Sequence, residues 1–213
     1  MIAALVPVKA LASSKSRLFP QLGRPALERL TIAMLCDVLT ALQELPSLDR
    51  IAVVTPDPKV AKTAVEAGAE AVLSEVSGLN PCIEEACAAF APGAGDAALV
   101  VLGDVAGADA QDLEILLRAL PDRGVVLAAS SDGGTSALLR RPREIIAAGF
   151  GPGSAAVHRE RAIRAGVFYH EISLPSLAID IDEPEDLEKF MHSPFMGAQT
   201  RSLLRELLPE QAS

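Results

Sequence analysis

Ala97-Ala98-Leu99-Val100-Val101-Leu102-Gly103-Asp104 is the stretch from which the rest of the chain can be ordered. Six apolar residues run without polar interruption up to a turn at Gly103-Asp104, which reads as a strand over 97–103 buried on both faces. Strands of that kind belong to parallel sheets covered by helices. Working outward, residues 2–8, 50–55, 124–130, 167–172 and 177–181 carry further strand-like runs. Between the first two of these, Leu27, Leu30, Met34, Val38, Leu42 and Leu45 recur at spacings of three and four, one face of a helix over 25–45 that Pro25 opens. Residues 58–67, 81–90, 109–120 and 154–165 read as further helices, and the tail from 194 to 213 adds a last one through Leu203, Leu204, Leu207 and Leu208. The alternation predicts an α/β fold of three layers, α/β/α, with a mostly parallel sheet, in one domain spanning 1–213.

Composition narrows the partners. The 213 residues carry 19 Lys+Arg against 28 Asp+Glu, a formal charge of -9. Nucleic acids and anionic membrane surfaces need a basic face, so neither is an expected partner. No apolar run approaches the ~18 residues of a membrane span. Residues 1–8 lack a basic leader and are interrupted by Pro7, with Lys9 following, so they do not read as a signal peptide, which places the chain in the cytoplasm. Cys36, Cys82 and Cys87 form no CxxC pair, and His158, His170 and His192 show no HxxxH spacing, which argues against a disulfide framework or a His/Cys metal centre. With six Phe, one Tyr and no Trp, a bound base is not expected to sit between aromatic rings. The charge is uneven: residues 1–30 hold five Lys or Arg and one acid, and residues 140–164 hold six Arg and two Glu. A small polyanion beside those segments therefore remains allowed.

In open α/β sheets ligands sit beyond the carboxyl ends of strands. After residues 2–8 come Lys9, Lys15 and Arg17, either a solvated basic loop or a cradle for a triphosphate. Asp104, at the end of the buried run, can bond its own turn or ligate Mg²⁺ on phosphates. Asp180 and Asp182 lie two residues apart on an expected strand, so both point to one face, and Asp182 also suits the N-cap of the helix that Pro184 opens. Phe150-Gly151-Pro152-Gly153-Ser154 precedes a helix carrying His158, Arg159, Arg161 and Arg164, and reads as a turn with Ser154 as cap or as an anion site. Asp132-Gly133-Gly134-Thr135-Ser136 reads as a loop with a hydroxyl pair suited to a turn or to a small oxyacid. Asn80 is expected to cap the next helix or to meet a base edge, and His158 to lie on the surface. No GxxxxGK[ST], no GxGxxG after the first strand and no GxSxG occur. Separated acids with basic and small-residue loops favour phosphoryl or nucleotidyl transfer.

The strings Leu5-Val6-Pro7-Val8-Lys9, Ser14-Lys15-Ser16-Arg17-Leu18, Gly78-Leu79-Asn80, Gly103-Asp104, Gly134 to Leu139, Phe150 to Ser154 and Asp180-Ile181-Asp182-Glu183-Pro184-Glu185-Asp186-Leu187, in that order, resemble the 2-phospho-L-lactate guanylyltransferase family of coenzyme F-420 biosynthesis. The resemblance spans about residues 2–190. It implies a nucleotide-diphosphosugar-transferase-like fold, a homodimer, and the joining of GTP to 2-phospho-L-lactate, phosphoenolpyruvate or 3-phospho-D-glycerate with release of pyrophosphate. It further implies Mg²⁺ on Asp104 and on Asp180 or Asp182, contacts from Thr135, Gly151 and Ser154 to the acid, and Lys9, Lys15 and Arg17 at the GTP phosphates. Two departures stand out: Val105-Ala106 follows Asp104 where the family commonly has Leu-Pro, and Ser136 follows Thr135 where it often has Asn. The same architecture also serves sugar-phosphate and molybdopterin nucleotidyltransferases, and a catalytically silent nucleotide-binding regulator is the reading from outside the enzymes.

Overall fold

A computed structural model describes residues 1–195 and 197–208. The buried run forms β4 (Ala97–Val101), all five residues of which are inaccessible to solvent. It pairs in parallel with β1 (Ile2–Pro7) and antiparallel with β6 (Thr135–Arg141). With β2 (Arg50–Thr55), β3 (Glu70–Leu73), β5 (Gly124–Ala129) and β7 (Phe168–Ile172) the sheet has seven strands in the order β3-β2-β1-β4-β6-β5-β7. Among the described residues only β6 runs against its neighbours.

Alternation along β1 splits the core into layers. Ala4 and Val6 face α1 (Phe19–Gln43), α2 (Pro58–Glu66) and α4 (Ala110–Arg118), through Leu35, Val38, Leu42, Val60, Leu113 and Leu116. Ala3 and Leu5 face α3 (Leu79–Phe90) and α5 (Ser154–Arg164), through Ile83, Ala86, Phe90, Ala155 and Ala162. A third cluster joins the first half of α1 to α6 (Pro184–His192) and α7 (Ala198–Leu207), around Leu30, Phe190 and Leu204. Gly23, at φ 70, breaks α1, and Pro25 opens its long second part.

From β1 the chain winds outward through β2 to β3, and from β4 it proceeds to the other half. The crevice therefore opens where the order switches, beyond the carboxyl ends of β1 and β4. Gly103 permits the close approach there, because a Cβ would stand 2.9 Å from Val8 Cγ2.

Three sequence expectations change. Residues 177–181 form no strand: Pro175–Leu177 is a 3-10 turn, and Ile181 is buried against the α1, α6 and α7 cluster rather than in the sheet. Thr135 and Ser136 begin β6 instead of closing a loop, and β3 was not expected. The tail helix is found as α7, and residues 209–213 lie outside the described residues. Among the described residues no helix is long and apolar enough to cross a membrane.

Candidate active site

The segment after β1 rises through two 3-10 turns, Leu11–Ser13 and Ser16–Leu18, with Lys15 between them in the left-handed region at φ 52. That conformation is strained for a residue with a Cβ, and such strain concentrates at functional positions. It turns the Lys15 side chain inward, where Nζ lies 2.7 Å from Asp104 Oδ2 and 2.5 Å from Asp182 Oδ1. Burial opposes the Lys15 charge, yet the two carboxylates outweigh it and raise the ammonium's pKa above its ordinary value. Burial likewise pushes Asp182 up, but Lys15 prevails and leaves it below the usual carboxylate range.

The Asp182 segment reaches this point because Ile181 N–H bonds the Asp104 carbonyl at 3.3 Å and Ser131 N–H bonds the Ala178 carbonyl at 2.9 Å. The side chains of Asp180 and Asp182 still share the cleft, although no strand carries them. Asp180 is pushed up to about 6 by burial and by the charges of Asp104, Asp132 and Asp182. Asp182 is not the helix cap; Glu183 is, in a reciprocal box with Asp186.

These groups line one cleft of about 590 Å³ with Lys9, Arg17, Thr135, Gly151 and Ser154. Lys9 is exposed, and Arg17 reaches Glu183 at 2.9 Å across the rim. Just before α5, Gly151 (φ 139) and Gly153 (φ 66) adopt conformations that favour glycine and turn the chain into the helix. The first N–H groups of α5 are partly committed: Ser154 N–H bonds Gly151 O and Ala155 N–H bonds Gly133 O. Ser154 is therefore no helix cap; its hydroxyl bonds Thr135 Oγ1 at 3.0 Å.

Asn80 does not cap α3, whose N-cap is Gly78. Its amide instead clamps Phe150, donating to the carbonyl at 3.0 Å and accepting from the N–H at 2.7 Å. His158 is fully buried rather than on the surface, 3.0 Å from Thr135 Oγ1. The arginines of 140–164 do not line the cleft. Arg140 is buried against Glu84 and the Ile146 carbonyl, Arg161 bonds the carbonyls of Ala147 and Ala148, and Arg159 and Arg164 pair with Glu171 and Glu160. The basic balance of that segment thus braces the fold, and among the described residues the cations of the cleft are Lys9, Lys15 and Arg17. Asp132, not singled out from the sequence, also lines the cleft, where Ser130 and the Gly134 N–H hold its carboxyl below the usual range.

The donor set suits a hard divalent cation. Asp104 Oδ1 is buried without a hydrogen-bond partner, and an ammonium bridges its other oxygen to a second carboxylate. Among the described residues no cage of three or more His, Cys, Asp or Glu is preformed. Mg²⁺ commonly takes one or two carboxylates and completes its shell with substrate phosphates and water.

Comparison with known proteins gives the family. Residues 2–210 match the family described as "Guanylyl transferase CofC like". The chain is 37% identical over 199 residues to a phosphoenolpyruvate guanylyltransferase of Sphaerobacter thermophilus, covering 92% of this chain and 96% of the relative. It is 34% identical over 212 residues to a 3-phospho-D-glycerate guanylyltransferase of Phenylobacterium zucineum, covering 97% of each. A Desulfovibrio desulfuricans G20 protein assigned as a nucleotide-diphospho-sugar transferase has the same fold, with a TM-score of 0.76 at 19% identity over 96% of this chain and 94% of that one. With nearly its whole length matched, the chain belongs to the CofC-like guanylyl transferase family.

Proposed function

We propose that the protein transfers the guanylyl group of GTP to a small phosphorylated acid, releasing pyrophosphate, as a cytoplasmic homodimer acting in coenzyme F-420 biosynthesis. The observation that carries this reading is a single cleft lined by two unlike sets of groups. Lys15 with Asp104 and Asp182 forms one, and the hydroxyls of Thr135 and Ser154 beside Gly151 form the other. Phosphoenolpyruvate, 3-phospho-D-glycerate and 2-phospho-L-lactate are the acids considered, the first two being substrates by which the relatives are named.

A phosphate oxygen of the acid attacks the α-phosphorus of GTP in line. The new P–O bond forms as the bond to the bridging oxygen of the β-phosphate breaks, and the electron pair leaves with pyrophosphate. The attacking phosphate is largely ionised at neutral pH, so no protein nucleophile is needed. The demand on the chain is to hold two polyanions together. Lys9, Lys15 and Arg17 neutralise the triphosphate, while Thr135, Gly151 and Ser154 orient the acid on a loop that Asn80 holds. Asp104, with Asp180 and Asp182, would hold Mg²⁺, which when bound offsets negative charge on phosphate oxygens.

The test supplies GTP and Mg²⁺ with each acid in turn, and scores pyrophosphate together with the mass of the product. One acid giving both pyrophosphate and its guanylyl adduct is expected. Release with none of the three would overturn the proposal.

A further inference from the structure

His158 is a buried imidazole in which each ring nitrogen has a defined partner. The Gly149 N–H points at Nε2 from 2.8 Å, and a backbone N–H can only donate, so Nε2 carries no proton. A neutral ring must then carry its proton on Nδ1, which faces Thr135 Oγ1 at 3.0 Å. The surroundings keep the ring neutral: burial first, then the guanidinium groups of Arg140 on β6 and Arg161 on α5, hold its pKa down to about 4. The edge-on ring of Phe150, its centroid 5.2 Å away, closes another side.

The consequence falls on Thr135. Its oxygen receives Nδ1–H from His158 and O–H from Ser154, the latter at 3.0 Å. Both lone pairs of a hydroxyl are then filled, and its own proton is left for whatever the cleft holds. A neutral carbonyl or an anionic oxygen can accept that proton, whereas a donor group would meet no acceptor.

We propose that His158 is the positioning residue that fixes the Thr135 hydroxyl as a donor toward an anionic oxygen of the phosphorylated acid. This rests on the assignment of the acid to Thr135, Gly151 and Ser154. His158 does not itself line the cleft. It acts through Thr135, which lies 23 residues before it in the chain.

Two substitutions separate the ring nitrogens. The amide of His158→Asn stands near the place of Nδ1 and keeps a donor for Thr135, while it gives up Gly149. The amide of His158→Gln reaches the place of Nε2 and keeps an acceptor for Gly149, while it leaves Thr135 without its donor. If His158 served only to brace the Gly149 loop, the Gln variant would be the benign one.

The experiment measures KM for GTP and for whichever of the three acids the wild type uses, in both variants and in Thr135→Val with and without His158→Gln. Calorimetry of each of the three acids with the GTP-free protein, in Mg²⁺ buffer, accompanies it. His158→Gln is expected to raise KM for the acid about tenfold, the loss of one hydrogen bond to a charged group. KM for GTP should stay within about twofold, with His158→Asn near the wild type in both. In the Thr135→Val background the Gln substitution should add nothing, because its effect runs through the missing hydroxyl. Equal losses in Asn and Gln variants, or an additive loss on Thr135→Val, would overturn the positioning role. A wild type that binds the acid but releases no pyrophosphate would overturn the transfer reaction while the binding data still judge His158. A wild type that binds none of the acids would overturn both.

Discussion

The Lys15 ammonium lies 2.7 Å from Asp104 Oδ2, joining the loop after β1 to the end of β4 across 89 residues of chain. The same nitrogen meets Asp182, and the Lys15 side chain is only 6% exposed. Without it, Asp104 and Asp182 would face each other with Asp180 close by. Lys15 thus supplies the cation that these carboxylates otherwise demand, and in the proposed reaction the triphosphate would demand one too.

Lys15→Met should therefore lower stability in chelator by about 2 kcal/mol, the buried-pair penalty discounted because Asp182 is 49% exposed. Added Mg²⁺ should recover more stability in the variant than in the wild type, since the carboxylates are then free to bind it. Denaturant titrations with and without Mg²⁺ check this. Equal Mg²⁺ responses would contradict it.

Asn80→Ala removes both bonds to Phe150 and leaves a backbone N–H and C=O to find other partners. A stability loss of about 2 kcal/mol is expected, with KM for the acid rising more than KM for GTP. Steady-state kinetics on each substrate give the comparison; equal rises would contradict a selective role at the acid, and a larger rise for GTP would place Asn80 at the nucleotide instead.

His158 links stability to pH with a definite sign. The unfolded chain takes up this proton below about 6.5 and the folded chain only near 4. Between those values the unfolded state binds more protons, so stability falls as the pH falls from 6.5 to 4. The contribution is at most about 3 kcal/mol and is fully present above 6.5. His158→Gln should flatten this part of the curve in urea titrations. An unchanged slope would show that the ring titrates normally.

Arg17 and Glu183 are both more than half exposed, so their contact should contribute little to stability. Arg17→Ala should unfold like the wild type while KM for GTP rises severalfold at low salt. The difference should shrink as salt screens the phosphates. A rise that does not depend on salt would argue for a structural role.

Much of this was legible along the chain, and the failures have physical causes. The run 97–103 announced a buried strand because all its residues are apolar, and Asp104 and the Lys9 to Arg17 loop followed from where such strands end. β6 was hidden by Arg140, whose charge reads as surface until Glu84, 56 residues away, is seen beside it. β3 is a four-residue edge strand with two exposed positions, too little pattern to register. Residues 177–181 imitate a strand, yet Ile179 and Ile181 pack on helices. His158 was assigned to the surface by its arginine neighbours. Ser154, Ala155 and Ala162, spaced around it at helical intervals, were the available sign that its own face is buried. Asn80 and Phe150 are 70 residues apart, and no local pattern joins them.

The most direct measurement is pyrophosphate release from GTP, Mg²⁺ and the preferred acid by Asp104→Ala, with its fold verified by circular dichroism. A loss of roughly a hundredfold or more is expected, because the cation proposed to offset the phosphates would lose its anchor at the end of β4. Near-normal release by a folded Asp104→Ala would contradict it.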